Sequence, residues 1–256
     1  MDELGKTLRC NGPRIHCYDF SRSGYLNLAG PHPGAGDLKS AVRARSFFLE
    51  QGYYAPLSDA VNGLLDEIGA KTVLDAGCGE GYYTNRMAKE RVVLGVDLSS
   101  AGIDHAAKAA RRENTNAGFV VASLFTVPVF DEGMDAVTSL FAPCAEEEFS
   151  RILKPNGHLI VVAAGERHLH GLKRALYDNP YFNLGRADLP QHMVLCSQKK
   201  LTYEISVEGR EAIDALFAMT PYYWRTSEHD KAKLDAIESL KTEVDFDIYL
   251  YKKGNS

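Results

Sequence analysis

Along the first three dozen residues the apolar positions recur with neither a helical nor an alternating period. The stretch closes on Gly30-Pro31-His32-Pro33-Gly34-Ala35-Gly36, a punctuation run that reads as a linker. From Asp37 the pattern turns helical. Ala41, Ala44, Phe47 and Phe48 share one face, and Asp37 has the side chain of a helix cap. A second helix is predicted over 56–68, with Leu57, Val61, Leu64, Leu65 and Ile68 as its apolar stripe. Strands and helices then alternate: a strand at 71–75, a glycine turn, a helix at 83–89, and a strand at 91–96 ending on Asp97. A helix follows that Ser99 or Ser100 caps and that runs to Arg112. Further strands are predicted at 117–122, 134–140 and 158–163, with a helix at 145–152 between the last two. This βαβα order predicts a mostly parallel sheet with helices on both faces. After Gly165 the signal weakens to a strand at 201–207, a helix at 209–218 and a terminal strand at 244–251.

A chain of 256 residues suits one main domain with an appendage. With 45% hydrophobic and 25% charged residues it has the balance of a soluble globule, able to build a core without disulfides. It contains no run of eighteen apolar residues, which argues against a membrane partner, and Met1-Asp2-Glu3 lacks the basic start of a secretory signal. Five scattered cysteines read as reduced thiols, so a cytoplasmic protein is expected. The net charge of -5 does not favour nucleic acid, but it is uneven: residues 1–50 carry +2 and the remainder -7.

The chemistry concentrates in Asp75-Ala76-Gly77-Cys78-Gly79-Glu80-Gly81. A strand that enters a glycine turn and then a helix presents backbone N–H groups at a helix start, and Gly77, Gly79 and Gly81 let the backbone approach a ligand. A dinucleotide fingerprint would need glycine at 82, where Tyr82 stands. The form D-x-G-x-G-x-G resembles instead the first motif of class-I S-adenosylmethionine (SAM)-dependent methyltransferases, and so implies an α/β Rossmann-like fold with a seven-stranded sheet. The resemblance puts Asp75 near the methionine ammonium, and Gly77, Gly79, Gly81 and Tyr82 along the cofactor. Asp97, twenty residues beyond Gly77, would accept the ribose hydroxyls. Leu98, Ser123 and Leu124 would hold the adenine, with ordinary loop packing as the alternative.

Stretches outside that motif narrow the likeness. They include Gly24-Tyr25-Leu26-Asn27-Leu28, Arg43-Ala44-Arg45, Gly52-Tyr53-Tyr54, Ala142-Pro143-Cys144, Arg167-His168-Leu169, Met219-Thr220-Pro221 with Trp224-Arg225, and Asp245-Phe246. In order and spacing they resemble the bacterial 23S rRNA guanine-N1 methyltransferases of the RlmA type, which include tylosin- and mycinamycin-resistance enzymes. That resemblance implies a 23S rRNA hairpin as partner and pairing as a homodimer. It also implies an N-terminal zinc module, from which this chain departs. The first CxxC pair has no counterpart, and Gly12 stands where a third cysteine is expected. Cys10, His16 and Cys17 do not make a closed tetrahedral site, so no metal is expected, and His16 and Cys17 read as packing residues. Residues 1–36 are then a degenerate zinc-ribbon-like module with its linker, and 37–256 a methyltransferase domain with a cap insertion around 166–200.

Methyl transfer to a guanine N1 needs positioning and a base for the departing proton. Phe141 and Pro143 would form a stacking wall, and Cys144 would be a further wall residue. His168 or Glu166 would take the proton while Arg167 holds a phosphate or the purine oxygen; a helix-capping surface histidine is the alternative for His168. Tyr223 and Trp224 would roof the substrate, or else pack the cap. Arg43 and Arg45 would contact backbone phosphate, or else form a solvated helix face. The acid balance and the missing zinc ligands leave a small-molecule methyltransferase open, and a SAM-binding protein without turnover is the third reading.

Overall fold

The computed structural model describes residues 2–4, 7–10, 16–29, 38–185 and 188–254. The linker run at 30–36, Asp37 and Gly12 lie outside the described residues. Three short strands, β1 (Asp2–Leu4), β2 (Thr7–Arg9) and β3 (Cys17–Asp19), pair antiparallel in a small sheet of their own. Leu8, Tyr18 and Phe20 pack from this region onto the core of the main sheet. The period of two along β3 turns Tyr18 inward and leaves Cys17 exposed, and His16 is exposed as well. Neither is the packing residue the sequence suggested. Among the described residues, no three His, Cys, Asp or Glu side chains gather closely enough to hold a metal ion.

The main sheet has eight strands rather than seven. The extra one is β4 (Leu26–Asn27), two residues long and so too short to leave a period. Then follow α1 (Lys39–Glu50), α2 (Ala55–Glu67), β5 (Thr72–Ala76), α3 (Tyr82–Met87), β6 (Val92–Asp97), α4 (Ser100–Glu113), β7 (Ala117–Val121), β8 (Met134–Leu140), α5 (Glu146–Ile152) and β9 (Leu153–Ala164). The chain continues with α6 (His170–Leu176), β10 (Val194–Glu208), α7 (Arg210–Ala218), α8 (Glu228–Ala232), a 3-10 turn (Lys233–Ala236) and β11 (Ser239–Lys252). The spatial order is β10-β11-β9-β8-β5-β6-β7-β4. It is parallel from β4 through β9, and β11 and β10 run antiparallel at the far edge. Residues 166–185 and 188–193, most of the expected insertion, run as a loop, α6 and irregular stretches, while 194–200 already belong to β10.

The central strands are buried on both faces, which is why they read as near-continuous apolar runs. In β5, Val73 faces a cluster with Phe48, Leu49, Leu57 and Leu65, whereas Leu74 faces one with Phe149 and Ile152 on the other side. Each such fully buried side chain contributes roughly 1.5–3 kcal/mol. The Ser99 hydroxyl caps α4 by accepting from the Gly102 N–H at 3.1 Å, as its position predicts. No helix of the described residues is long and apolar enough to cross a membrane. Strand order reverses between β5 and β8, and in such sheets a crevice opens at the carboxyl ends of the strands flanking that point.

Candidate active site

At that point lies a cavity of about 440 Å³ lined by Asp75, Gly77, Cys78, Gly79, Glu80, Asp97, Leu98, Ser123 and Leu124, with α1 and the loop after β8 closing its other side. Gly77 has φ +74°, and a Cβ there would lie 2.4 Å from the Ala142 Cβ, so only glycine admits this loop against the end of β8. The loop amides are not bare. Gly77 and Cys78 N–H both donate to the Val96 carbonyl, Gly81 N–H donates to the Cys78 carbonyl, and Gly79 N–H donates to Asp97 Oδ2 at 2.9 Å. The helix start therefore does not offer these amides to an anion, contrary to the expectation from the glycine pattern.

What the cavity does offer is negative charge. Asp75 is only 2% exposed; its Oδ2 accepts from the Thr84 hydroxyl at 2.5 Å and its Oδ1 from the Thr138 hydroxyl at 2.8 Å. Burial pushes its carboxyl up to about 6; the two threonine hydroxyls pull it down, and the neighbouring Asp97 and Glu80 push it further up. Asp97 also accepts from Ser99 N–H at 2.7 Å, which fixes its carboxylate at the tip of β6. The Arg45 guanidinium, from α1, pairs with Glu80 across the cavity mouth. The Tyr83 hydroxyl, on the same wall, is buried with no hydrogen-bond partner among the described residues. A ligand with positive charge and polar groups fits this lining, and a pyrophosphate does not.

A second chamber, of about 790 Å³, opens beside the first and shares with it Arg45, Tyr54, Phe141, Ala142, Pro143 and Met219. Its remaining wall includes His168, Leu184, Asp188, Tyr222 and Trp224. Phe141 is 45% exposed and holds φ +57°, a strained setting for an aromatic residue at the boundary of the two spaces. Trp224 is 70% exposed at the rim. Lys173, 1% exposed, donates to the Tyr181 carbonyl at 3.2 Å and to Asn183 Oδ1 at 2.6 Å, so it fastens the irregular segment that carries Leu184.

His168 borders this second chamber, but both its ring nitrogens are engaged. Nδ1 accepts from the Asp245 backbone N–H at 3.2 Å, and Nε2 meets the Tyr54 hydroxyl at 3.2 Å. Burial pushes the imidazole down to about 4, so it is neutral near pH 7. It lacks the free lone pair that a general base needs. Glu166 and Arg167 do not line the chamber at all. The turn after β9 leaves both exposed, with the Arg167 guanidinium 3.5 Å from Glu243 and 5.9 Å from the Phe182 ring centre.

The other expected residues divide in the same way. Asp75, Gly77, Gly79, Asp97, Leu98, Ser123 and Leu124 meet in the first cavity, and Phe141, Pro143, Arg45 and Trp224 border the second. Gly81 and Tyr82 do not line the first cavity. A Cβ at Gly81 would lie 2.5 Å from the Ala106 Cβ, so that glycine serves the packing of α4, and Tyr82 lies under Arg86 facing another groove. Cys144 turns from both chambers into the core below, its N–H donating to Asp188. Arg43 and Tyr223 border a separate groove between α1 and α7. Glu80, Tyr54, Tyr83 and Met219 were not singled out beforehand as site residues; Tyr54 and Met219 lie in stretches noted for their likeness, yet nothing in their spacing shows that they meet the loop.

Residues 73–157 match a family described as a methyltransferase domain. The chain is 31% identical, over 97% of its length and 92% of the relative's, to the YxjB protein of Bacillus subtilis (strain 168), whose name assigns it to the 23S rRNA (guanine-N(1)-) class. It is 30% identical, over 95% of its length and 90% of the relative's, to the 23S rRNA (guanine(748)-N(1))-methyltransferase of Streptomyces fradiae. Among solved structures, the YcgJ protein of Bacillus subtilis superposes with a TM-score of 0.52 at 14% identity, covering 76% of this chain and 98% of that one. That likeness is one of fold.

Proposed function

The chain belongs to the 23S rRNA (guanine-N1)-methyltransferase family, and from that premise we propose that it methylates N1 of a guanine in a hairpin of 23S rRNA, with SAM as its cofactor. One observation carries the reading: an acidic cavity suited to a cation opens through a shared wall into a larger chamber rimmed by aromatic side chains. In this reading Asp75 faces the methionine ammonium, Asp97 accepts the ribose hydroxyls, and Leu98, Ser123 and Leu124 enclose the adenine. SAM supplies a methyl group on a sulfonium. The protein has to hold that carbon in line with the incoming nitrogen and exclude other geometries.

A guanine N1 inside a stacked helix is out of reach, so the base enters the second chamber unpaired, against Phe141 and Trp224. Pro143 and Arg45 complete the passage, Arg45 from the side of α1. The N1 proton passes to Asp188, the carboxylate of that lining, since His168 has no nitrogen free to receive it. A ribosomal substrate implies a cytoplasmic site of action. The homodimer belongs to the same reading, and light scattering at twice the 28.2 kDa chain mass would support it.

Primer extension on rRNA from a strain lacking the gene, with and without the restored gene, tests the assignment. The expected result is one guanine stop that appears only with the protein. An identical stop pattern in both strains, together with no methyl transfer to protein-free 23S rRNA in vitro, refutes it.

A further inference from the structure

Tyr54 sits in the wall common to both chambers, at the start of α2, and is 2% exposed. Its ring is wedged edge-on against Phe48 at 5.4 Å and Phe246 at 5.0 Å, so the hydroxyl has little freedom to move. The hydrogen-bond inventory around it has one solution. A backbone N–H can only donate, so the Asp245 amide fixes His168 Nδ1 as an acceptor. A neutral imidazole carries one proton, which must then be on Nε2, and Nε2–H donates to the Tyr54 oxygen. The phenol proton of Tyr54 is left with no acceptor among the described residues. A buried donor with no acceptor is unfavourable, and such groups in native structures call for a reason. Here the donor borders the junction of a methyl-donor cavity and a nucleobase chamber.

From this arrangement we propose that the Tyr54 hydroxyl is a catalytic hydrogen-bond donor to the O6 carbonyl of the target guanine, with His168 as its positioning residue. The inference rests on the guanine-N1 reading above. When N1 gives its proton to the Asp188 carboxylate, the negative charge left on the ring is shared between N1 and O6. The N1 electron pair then forms the N–C bond while the methyl–sulfur bond breaks, its pair remaining on sulfur as a neutral thioether. A donor held at O6 stabilises the charge that appears at deprotonation and favours the step before transfer. Tyr54 is suited to donate rather than ionise, because burial first, then the neighbouring Tyr222 and Tyr203 phenols, push its ionisation well above the ordinary range. Phe in its place would keep the ring contacts, and it would remove both the donor to O6 and the oxygen that accepts from His168 Nε2–H.

The test uses the full chain and protein-free 23S rRNA from a strain lacking the gene. Tyr54→Phe is expected to lower kcat about a hundredfold while the SAM dissociation constant from calorimetry stays within about threefold of wild type; the melting temperature should fall by roughly 2–4 °C, because His168 Nε2–H loses its acceptor. An unchanged kcat overturns the proposal. A tenfold weaker SAM affinity at unchanged kcat also overturns it, because the donor would then serve the cofactor. Should Tyr54→Phe fail to fold, a fluorinated tyrosine at position 54 decides the matter. Its more acidic phenol should bring the alkaline fall in rate to lower pH, and an unmoved pH profile counts against the proposal. A wild-type chain that transfers no methyl to this RNA overturns the guanine-N1 reading itself, whereas transfer undiminished in Tyr54→Phe overturns the inference alone.

Discussion

Asp75→Asn is expected to make the ligand-free protein more stable and a poorer binder of SAM. In the folded chain the Asp75 carboxyl holds its proton up to about pH 6, against an ordinary 3.8. For an acid raised in this way, the folded state loses stability as pH rises from about 4 through 6, and the full penalty is present above 6. Two pKa units correspond to about 3 kcal/mol. Asparagine removes the charge, but the Thr84 and Thr138 hydroxyls that donate to the carboxylate must turn to suit an amide, at roughly 1 kcal/mol each. The net gain is about 1 kcal/mol at pH 8, a rise of roughly 2–4 °C in Tm for a chain of this size. Thermal melts of both proteins at pH 8 and pH 5 would check it, since at pH 5 wild-type Asp75 is itself protonated and the difference should vanish. SAM affinity at pH 8 should fall at least tenfold by calorimetry. A Tm difference of the same size at both pH values, or undiminished SAM binding, would refute the electrostatic account of this cavity.

Asp97→Ala removes the acceptor for Gly79 and Ser99 N–H as well as a wall carboxylate, and should weaken SAM binding by about tenfold or more in calorimetry. Lys173→Met leaves the Tyr181 carbonyl and Asn183 without their donor, and should cost roughly 2–3 kcal/mol in urea unfolding. It should also speed protease cleavage within 178–193. His168 titrates near 4 in the folded chain against an ordinary 6.5, so the unfolded state takes the proton first as pH falls. The stability present above pH 6.5 is lost on the way down to 4, on the order of 2 kcal/mol after allowance for partial exposure. The drop in urea midpoint from pH 7 to pH 5 should be smaller in His168→Asn than in wild type; equal drops would contradict the lowered titration of His168.

The alternation of 71–164 was legible because strands buried on both faces and helices with one apolar stripe leave distinct periods, and the glycine loop between β5 and α3 marks the strand end where ligands bind. Other features left no such trace. Val194-Leu195-Cys196-Ser197-Gln198-Lys199-Lys200 forms the outer half of an edge strand, mostly exposed, and so has no inner face to impose a period. Arg43 and Arg45 are two positions apart, which on a helix is more than half a turn of rotation, and only Arg45 reaches the loop. Glu166, Arg167 and His168 share the correct strand end, but the backbone after Gly165, with Leu169 at φ +56°, brings only His168 to the chamber. That the loop amides are already bonded follows from how β5 and β6 lie together, which no local pattern encodes.

The partition between the two chambers has a thermodynamic corollary. Arg45, Phe141 and Met219 each present surface to both occupants, so whatever the first arrival does to set their rotamers is already done for the second. The coupling is mutual: any factor by which cofactor tightens the hold on RNA is the factor by which RNA tightens the hold on cofactor. Affinities measured one ligand at a time would then describe the vacant halves of the enzyme rather than the ternary assembly in which the methyl group moves.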